Sequence, residues 1–323
     1  MALKTYISAL VGTLCLASFA SPAQAEDFPC KSMQWIVPFS AGGGVDWMAR
    51  VVVDELQKEH PGLTITVENR TGASGAIAAQ ALKAASADGC TVMSMSSSML
   101  VAQAVIGADV GYDFETDFEP VINLASTPYF LTAWNSLGVK TLPELIAKAK
   151  EAPGTIPYPV SGQATLQAVV FAELSAAADI SMIKVAYKGG GEMFADFLSG
   201  RVPLFLAFPY EVKQYIDGGE AFYLAVTSKE RHPSLPDVPT VAETLPGYDI
   251  IQSYGVVAPK GVPANVVAIL NNAIAKALHS ETVAKKLQTE TSFQVDAAGP
   301  EKFKALLKTQ YVQYQAAAKM IQE

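Results

Sequence analysis

Three successive glycines set between an apolar strand and an amphipathic helix constrain this chain more than any other feature: Pro38-Phe39-Ser40-Ala41-Gly42-Gly43-Gly44-Val45-Asp46. Glycines at such a junction let the backbone approach a ligand closely, and the first amides of the helix are free to point at an anion. The same strand–loop–helix grammar recurs. Residues 63–68 read as a strand, the turn Thr71-Gly72-Ala73-Ser74-Gly75 follows, and an alanine-rich helix runs to about residue 86. Residues 91–95 read as a third strand that ends in Ser96-Ser97-Ser98. Repetition of this unit predicts a parallel, doubly wound α/β sheet with binding chemistry at the carboxyl ends of its strands.

A long extended segment over 120–132 leaves that unit, and a second cycle begins. Its expected elements are helices over 142–150 and 165–178, strands over 155–159 and 182–186, the loop Lys188-Gly189-Gly190-Gly191 with a helix behind it, and strands over 203–208 and 222–226. Another extended segment, 248–257, precedes two helices that finish the chain. A length of 323 residues allows about two domains of roughly 150 residues each. Two α/β domains joined by two extended crossings form a hinged clamshell. Domain 1 is read as 26–124 plus 251–323, and domain 2 as 125–250.

Residues 1–25 read as a secretory signal, with Lys4 as the positive region, an apolar stretch over 7–20 and Ala23-Gln24-Ala25 as the cleavage site. The stretch is short for a membrane span, with an uncleaved anchor as the alternative. Cleavage would leave two cysteines, Cys30 and Cys90, in an oxidising compartment. Each stands just before a strand, and in a sheet of order 2-1-3 those strand starts lie side by side. A bridge is therefore expected, closing a loop of about 60 residues and contributing roughly 4 kcal/mol through chain entropy. Two buried free thiols are the alternative. The formal charge of −8, with no long Lys/Arg run, argues against a nucleic-acid partner and a polybasic membrane anchor.

A second candidate stretch is Ile156-Pro157-Tyr158-Pro159-Val160-Ser161-Gly162-Gln163-Ala164-Thr165, again between strand end and helix start. Ser161, Gln163 and Thr165 would bring hydroxyl and amide donors beside orphan helix amides. Two such loops facing each other make a plausible carboxylate clamp. The first is not a dinucleotide fingerprint, since Trp47 stands where a third spaced glycine is needed. Asp46 reads either as a helix N-cap or as a residue that shapes the loop. No arginine falls within these loops. Catalysis and metal binding find little support. There is no Gly-x-Ser-x-Gly elbow, and His60, His232 and His279 are scattered in contexts typical of solvated surface. Asp113, Glu115, Asp117 and Glu119 read as a solvated acidic turn lacking the glycine and terminal glutamate of a calcium loop. No cofactor or metal is expected.

Taken together, the runs PFSAGGGVD at 38–46, ENRTGASG at 68–75, ADGCT at 87–91, YDFETDFEPV at 112–121, YKG at 187–189, LPDVPTVAE at 235–243 and VVAPKGVP at 256–263 carry a resemblance. Over essentially the whole chain beyond the leader, this sequence resembles the substrate-binding proteins of tripartite tricarboxylate transporters, the Bug family of bacterial periplasmic receptors. The resemblance implies a type II periplasmic-binding-protein fold that closes on a small carboxylate without catalysis. It implies ligand contacts from Phe39, Ser40, Ala41, Gly42, Gly43 and Asp46 on one side and Ser161, Gly162 and Gln163 on the other. Ser97, Phe208 and Tyr210 would line the distal end, with Ser253 and Tyr254 near the hinge. The sequence departs from the family at Val45, Cys90 and the second loop, where Pro159, Val160, Gln163 and Leu166 replace a run of glycine and serine. The aromatic residues favour a longer or aromatic carboxylate.

Two functions fit this reading: a monomeric periplasmic receptor delivering a carboxylate to membrane permease subunits, or a sensor reporting that acid to a signalling partner.

Overall fold

The structure is a computed structural model that describes residues 28–162, 164–187, 190–290 and 292–322. The expected signal segment, Gln163, Lys188 and Gly189 lie outside the described residues.

Strand β1 (Ser32–Val37) leads through the glycine loop into α1 (Gly44–Glu59), then β2 (Thr64–Asn69), α2 (Ala76–Lys83), β3 (Thr91–Ser96) and α3 (Ser97–Ile106). β4 (Phe118–Pro128) passes almost directly into β5 (Phe130–Trp134). The second cycle is α4 (Leu142–Glu151), β6 (Pro157–Val160), α5 (Leu166–Ala178), β7 (Ile183–Ala186), α6 (Gly190–Leu198), β8 (Leu204–Ala207), α7 (Pro209–Asp217) and β9 (Ala221–Val226). The chain returns along β10 (Ile251–Pro259) and ends with α8 (Ala264–Leu278), α9 (Glu281–Glu290), β11 (Gln294–Ala298) and α10 (Pro300–Gln322).

Six strands form one sheet in the order β11-β4-β10-β3-β1-β2, with β2, β1 and β3 parallel and β10 antiparallel between β3 and β4. In the second unit β5 sits between β8 and β9, while β6 and β7 pair separately and β6 runs beside β8. Thus β1 lies between β2 and β3 with the antiparallel β10 beyond, and β6 lies between β7 and β8 with the antiparallel β5 beyond. The α/β clamshell expected from the sequence is the fold observed.

Burial explains the elements. α1 sets Val45, Met48, Ala49, Val52 and Leu56 inward at helical spacing, beneath α8. α10 buries Phe303, Leu307, Gln310, Tyr314, Ala317 and Ile321, one side of the helix at steps of three and four, and packs on α3, β4 and α5. It therefore bridges both halves. Gly255 of β10 is where it docks: a Cβ there would sit 2.1 Å from the Phe303 ring, so an alanine would drive the helix off the strand.

Cys30 and Cys90 form the expected disulfide, with Cα atoms 5.8 Å apart. The Gln34 amide donates to Cys90 O at 2.8 Å, which places the two strand starts side by side as order 2-1-3 requires.

Three expectations need correction. The third strand stops at Ser96, and Ser97 opens α3, a helix absent from the sequence reading. The chain ends in three helices rather than two, with the edge strand β11 between α9 and α10. β11 is short and alternates exposed with half-buried positions, so it carries little apolar signal. His232 is not solvated. It is 3% exposed, Nε2 lies 3.1 Å from Ser292 O, and Nδ1 accepts from the Ser234 amide at 3.2 Å. Its neighbour Pro233 suggested a surface turn, but the turn folds back against the residue before β11.

Candidate ligand-binding site

The first loop is held by its own acid. Gly42 adopts a φ of +83°, and its amide donates to Asp46 Oδ2 at 2.9 Å. Asp46, only 2% exposed, also accepts from Arg50 Nε at 3.0 Å and from Asn69 Nδ2 at 2.8 Å. Asn69, the last residue of β2, donates as well to Phe39 O at 2.9 Å, and its Oδ1 accepts from Arg50 at 3.0 Å. One carboxylate therefore ties α1, β2 and the glycine loop together. The N-cap position belongs to Gly43, so Asp46 takes the loop-shaping role rather than the capping one.

The electrostatics follow from these partners. Burial alone would raise the Asp46 pKa. Hydrogen bonds from Arg50, the Gly42 amide and Asn69, together with the Arg50 charge, outweigh it and hold the carboxyl below its ordinary value of 3.8. The acid nearest the loop is thus ionised, balanced by Arg50 and saturated with donors. The amides of Gly44 and Val45, by contrast, have no acceptor among the described residues. They are the orphan donors at the positive end of a 16-residue helix.

Gly44 leaves room for a neighbour: a Cβ there would lie 3.5 Å from Tyr254 Oη and 3.4 Å from the Phe293 ring. Tyr254 begins a relay through the crossings. Its hydroxyl accepts from Gln252 Nε2 at 2.9 Å, and Gln252 Oε1 accepts from Tyr129 Oη at 2.5 Å. Tyr129 stacks on Phe208 with ring centroids 5.2 Å apart, and Phe208 stacks on Tyr210 at 5.9 Å. A continuous line of side chains thus runs from the N-terminus of α1 to the loop before α7. Tyr254 is 3% exposed and Tyr210 58%, so the line ends in solvent. The Glu211 pKa is raised by burial, while the Phe208 amide that donates to its Oε2 at 2.7 Å pulls the other way.

The crossings are stapled at their midpoint. Thr227 Oγ1 accepts from the Tyr129 amide at 3.0 Å and donates to Ile250 O at 2.7 Å, linking the outgoing and returning segments. Beside them, Ser97 Oγ accepts from the Ser253 amide at 2.8 Å and donates to Gln310 Oε1 at 3.3 Å. Gln310 Nε2 donates to Ser253 Oγ at 2.9 Å. Ser97 is fully buried, and its hydroxyl is committed to this latch between α3, β10 and α10.

The second loop is built differently. Ser161 Oγ donates to Gln167 Oε1 at 3.1 Å. Thr165 caps α5 by accepting from Ala168 N at 3.4 Å, and donates to Gly162 O at 2.9 Å. Gly162 has a φ of +129°. The hydrogen bonds of this loop among the described residues are neutral, and none reaches the first loop.

The structure therefore gathers Phe39 to Gly43, Asp46 and Tyr254 at the first loop and links them to Phe208 and Tyr210. It places Ser161 and Gly162 in a separate cluster and seals Ser97 in the latch. Tyr129, Gln252, Thr227, Asn69 and Arg50 were missed by sequence reasoning. Gln252 alone gave a signal, as a long polar side chain inside an otherwise apolar extended crossing.

A doubly wound fold with two α/β halves, two crossings and helix N-termini at its loops defines a solute-binding protein of the periplasmic-receptor class. The family described as the tripartite tricarboxylate transporter family receptor matches residues 48–321, and the chain belongs to that family. It is 33% identical over 299 residues to Protein BugT of Bordetella pertussis, covering 91% of this chain and 90% of that one. Among solved structures, R. palustris Rpa4515 with adipate superposes with a TM-score of 0.79 at 31% identity, covering 91% of this chain and 98% of that one. MatC from Rhodopseudomonas palustris with bound malate gives 0.75 at 26% identity, covering 90% and 100%.

Proposed function

We propose that the protein is a periplasmic receptor that takes a small organic carboxylate into the cleft between its two α/β halves and delivers it to the membrane subunits of a tripartite tricarboxylate-type transporter. The observation that carries this reading is the first loop. Two unpartnered amides stand at a helix N-terminus, and the adjacent acid is already charge-paired with Arg50 and hydrogen-bonded by Asn69. Charge-assisted hydrogen bonds of this kind are worth about 1.5–3 kcal/mol each, so a few of them offset the desolvation of one carboxylate. Two solved relatives described with adipate and with malate support the ligand class. Family membership supports delivery to a transporter over signalling.

No reaction is required of such a receptor. Ligand bridging Phe39–Gly43 on one half and Ser161–Gln163 on the other stabilises the closed form, and the crossings near Tyr129 and Ile250 act as the hinge. The halves then divide close to the sequence-based domain boundaries. The aromatic line from Tyr129 to Tyr210 favours a ligand with an apolar spacer beyond its first carboxylate. The leader is removed on export, and the protein works as a monomer.

Thermal unfolding against mono-, di- and tricarboxylates, aromatic acids and neutral sugars tests this. A ligand at a hundred times its dissociation constant adds about 2.7 kcal/mol, enough to raise the midpoint by several degrees. The expected shift comes from dicarboxylates of adipate length or aromatic acids, and less from malate. A response to sugars alone would overturn the carboxylate reading.

A further inference from the structure

A partly enclosed cavity lies away from the two loops, between α3, α10 and the 112–120 segment, with a volume of about 110 Å³. Its walls are apolar: Leu100 of α3, Phe114 and Phe118, and Leu307 and Tyr311 of α10. Gln103, the polar residue of the wall, is already spent, since its amide nitrogen donates to Asp113 and its oxygen accepts from the Phe114 amide. The mouth is cationic. Lys260, Lys304 and Lys308 surround it against the single carboxylate of Glu115. Lys260 is paired with Glu119 at 2.8 Å, and Lys308 reaches Glu115 only at 3.9 Å. Lys304 is exposed and has no ion-pair partner among the described residues. On a chain whose formal charge is −8, an apolar slot with this lip is complementary to one kind of occupant.

We propose that this slot is a second small-molecule site, which takes a short aliphatic monocarboxylate with its tail among Leu100, Phe118 and Leu307 and its head at Lys304 and Lys308. The size fits a small molecule rather than a peptide, since the cavity volume is only about 110 Å³. Exposed ammonium groups contribute little on their own, so burial of the tail supplies most of the affinity and binding is weak. A second carboxylate on the tail would be forced against apolar walls with no donor to receive it. The slot therefore discriminates against the dicarboxylates expected in the cleft, and it stands whether or not the cleft reading does.

Saturation-transfer NMR with hexanoate and adipate, two acids of equal chain length, tests the assignment on the purified protein. Hexanoate should give a signal that saturating adipate does not displace and that survives in Asp46→Ala. Leu307→Trp, which fills the slot, should abolish it. The surface pair Lys304→Glu/Lys308→Glu, which leaves the core untouched, should weaken hexanoate at least threefold at low salt. The proposal is overturned if hexanoate gives no signal with the wild-type protein. It is also overturned if the signal survives both slot variants, or if it is displaced by adipate and lost in Asp46→Ala.

Discussion

The two candidate loops occupy similar places in the two halves, one between β1 and α1 and the other between β6 and α5, yet they are held by different chemistry. The first is fixed by a buried, ionised acid with partners on α1, on β2 and in the loop itself. The second is held through a serine–glutamine pair and a threonine cap, all neutral and all local. A charged network that spans three elements gives one geometry and tolerates little change. Local neutral bonds can be exchanged residue by residue. On the proposed function, this difference assigns the first loop as the general carboxylate anchor and the second as the part that selects among ligands.

The contrast is sharpest in stability, and the largest effect lies beneath the first loop. The Cys30–Cys90 bridge closes a separation of 60 residues under β1 and β3. Replacing both cysteines by alanine should cost about 4 kcal/mol in denaturant unfolding at equal slope. Asp46→Ala comes next. It strands the Gly42 and Asn69 donors and the Arg50 charge, and should cost about 1–3 kcal/mol while lowering affinity for every carboxylate tested. A variant that binds normally would break the comparison on the first-loop side.

Smaller effects are expected at the second loop. Thr165→Ala removes the cap of α5 and should cost about 1 kcal/mol. Ser161→Ala should move stability by less than that, yet change the order in which carboxylates are preferred. Titration calorimetry on the purified variant reads that order directly.

Acidity separates the anchor from the rest of the molecule. Asp46 has a lower pKa folded than unfolded, so its stabilisation is complete above the ordinary value of 3.8 and is lost as pH falls through the folded value beneath it. His232 is held neutral by burial, against the pull of its Ser292 contact, so its pKa is lowered from 6.5. Below pH 6.5 the unfolded chain takes up that proton first, and stability declines before Asp46 is touched. Stability curves against pH should therefore show two separate losses. His232→Asn should remove the first and Asp46→Asn diminish the second, to which the Glu68, Asp196 and Glu243 carboxyls, also held low by their partners, contribute the remainder.

Much of this architecture was legible in the chain. Glycines after an apolar strand, repeated with alternating helices, fix a doubly wound sheet, and the cysteine positions follow from its strand order. The first loop was legible as a site because its residues are contiguous. What could not be read was assembled from distant positions. Asn69 and Arg50 close on Asp46 from a strand end and a helix turn, and Tyr129, Thr227 and Gln252 meet only once two crossings run side by side. Each of them alone looks like ordinary strand or helix. The Ser97 latch was hidden for the opposite reason, since a serine at a helix start looks like a cap or a ligand contact until its hydroxyl is found between β10 and α10.

The claim that one loop anchors and the other selects is tested most directly by calorimetric titration of adipate and malate into the wild-type protein, Asp46→Ala and Ser161→Ala. The account predicts that Asp46→Ala weakens both acids by a similar factor, whereas Ser161→Ala changes their ratio with the tighter ligand still bound. An Asp46→Ala variant that alters the ratio while Ser161→Ala weakens both equally would contradict it.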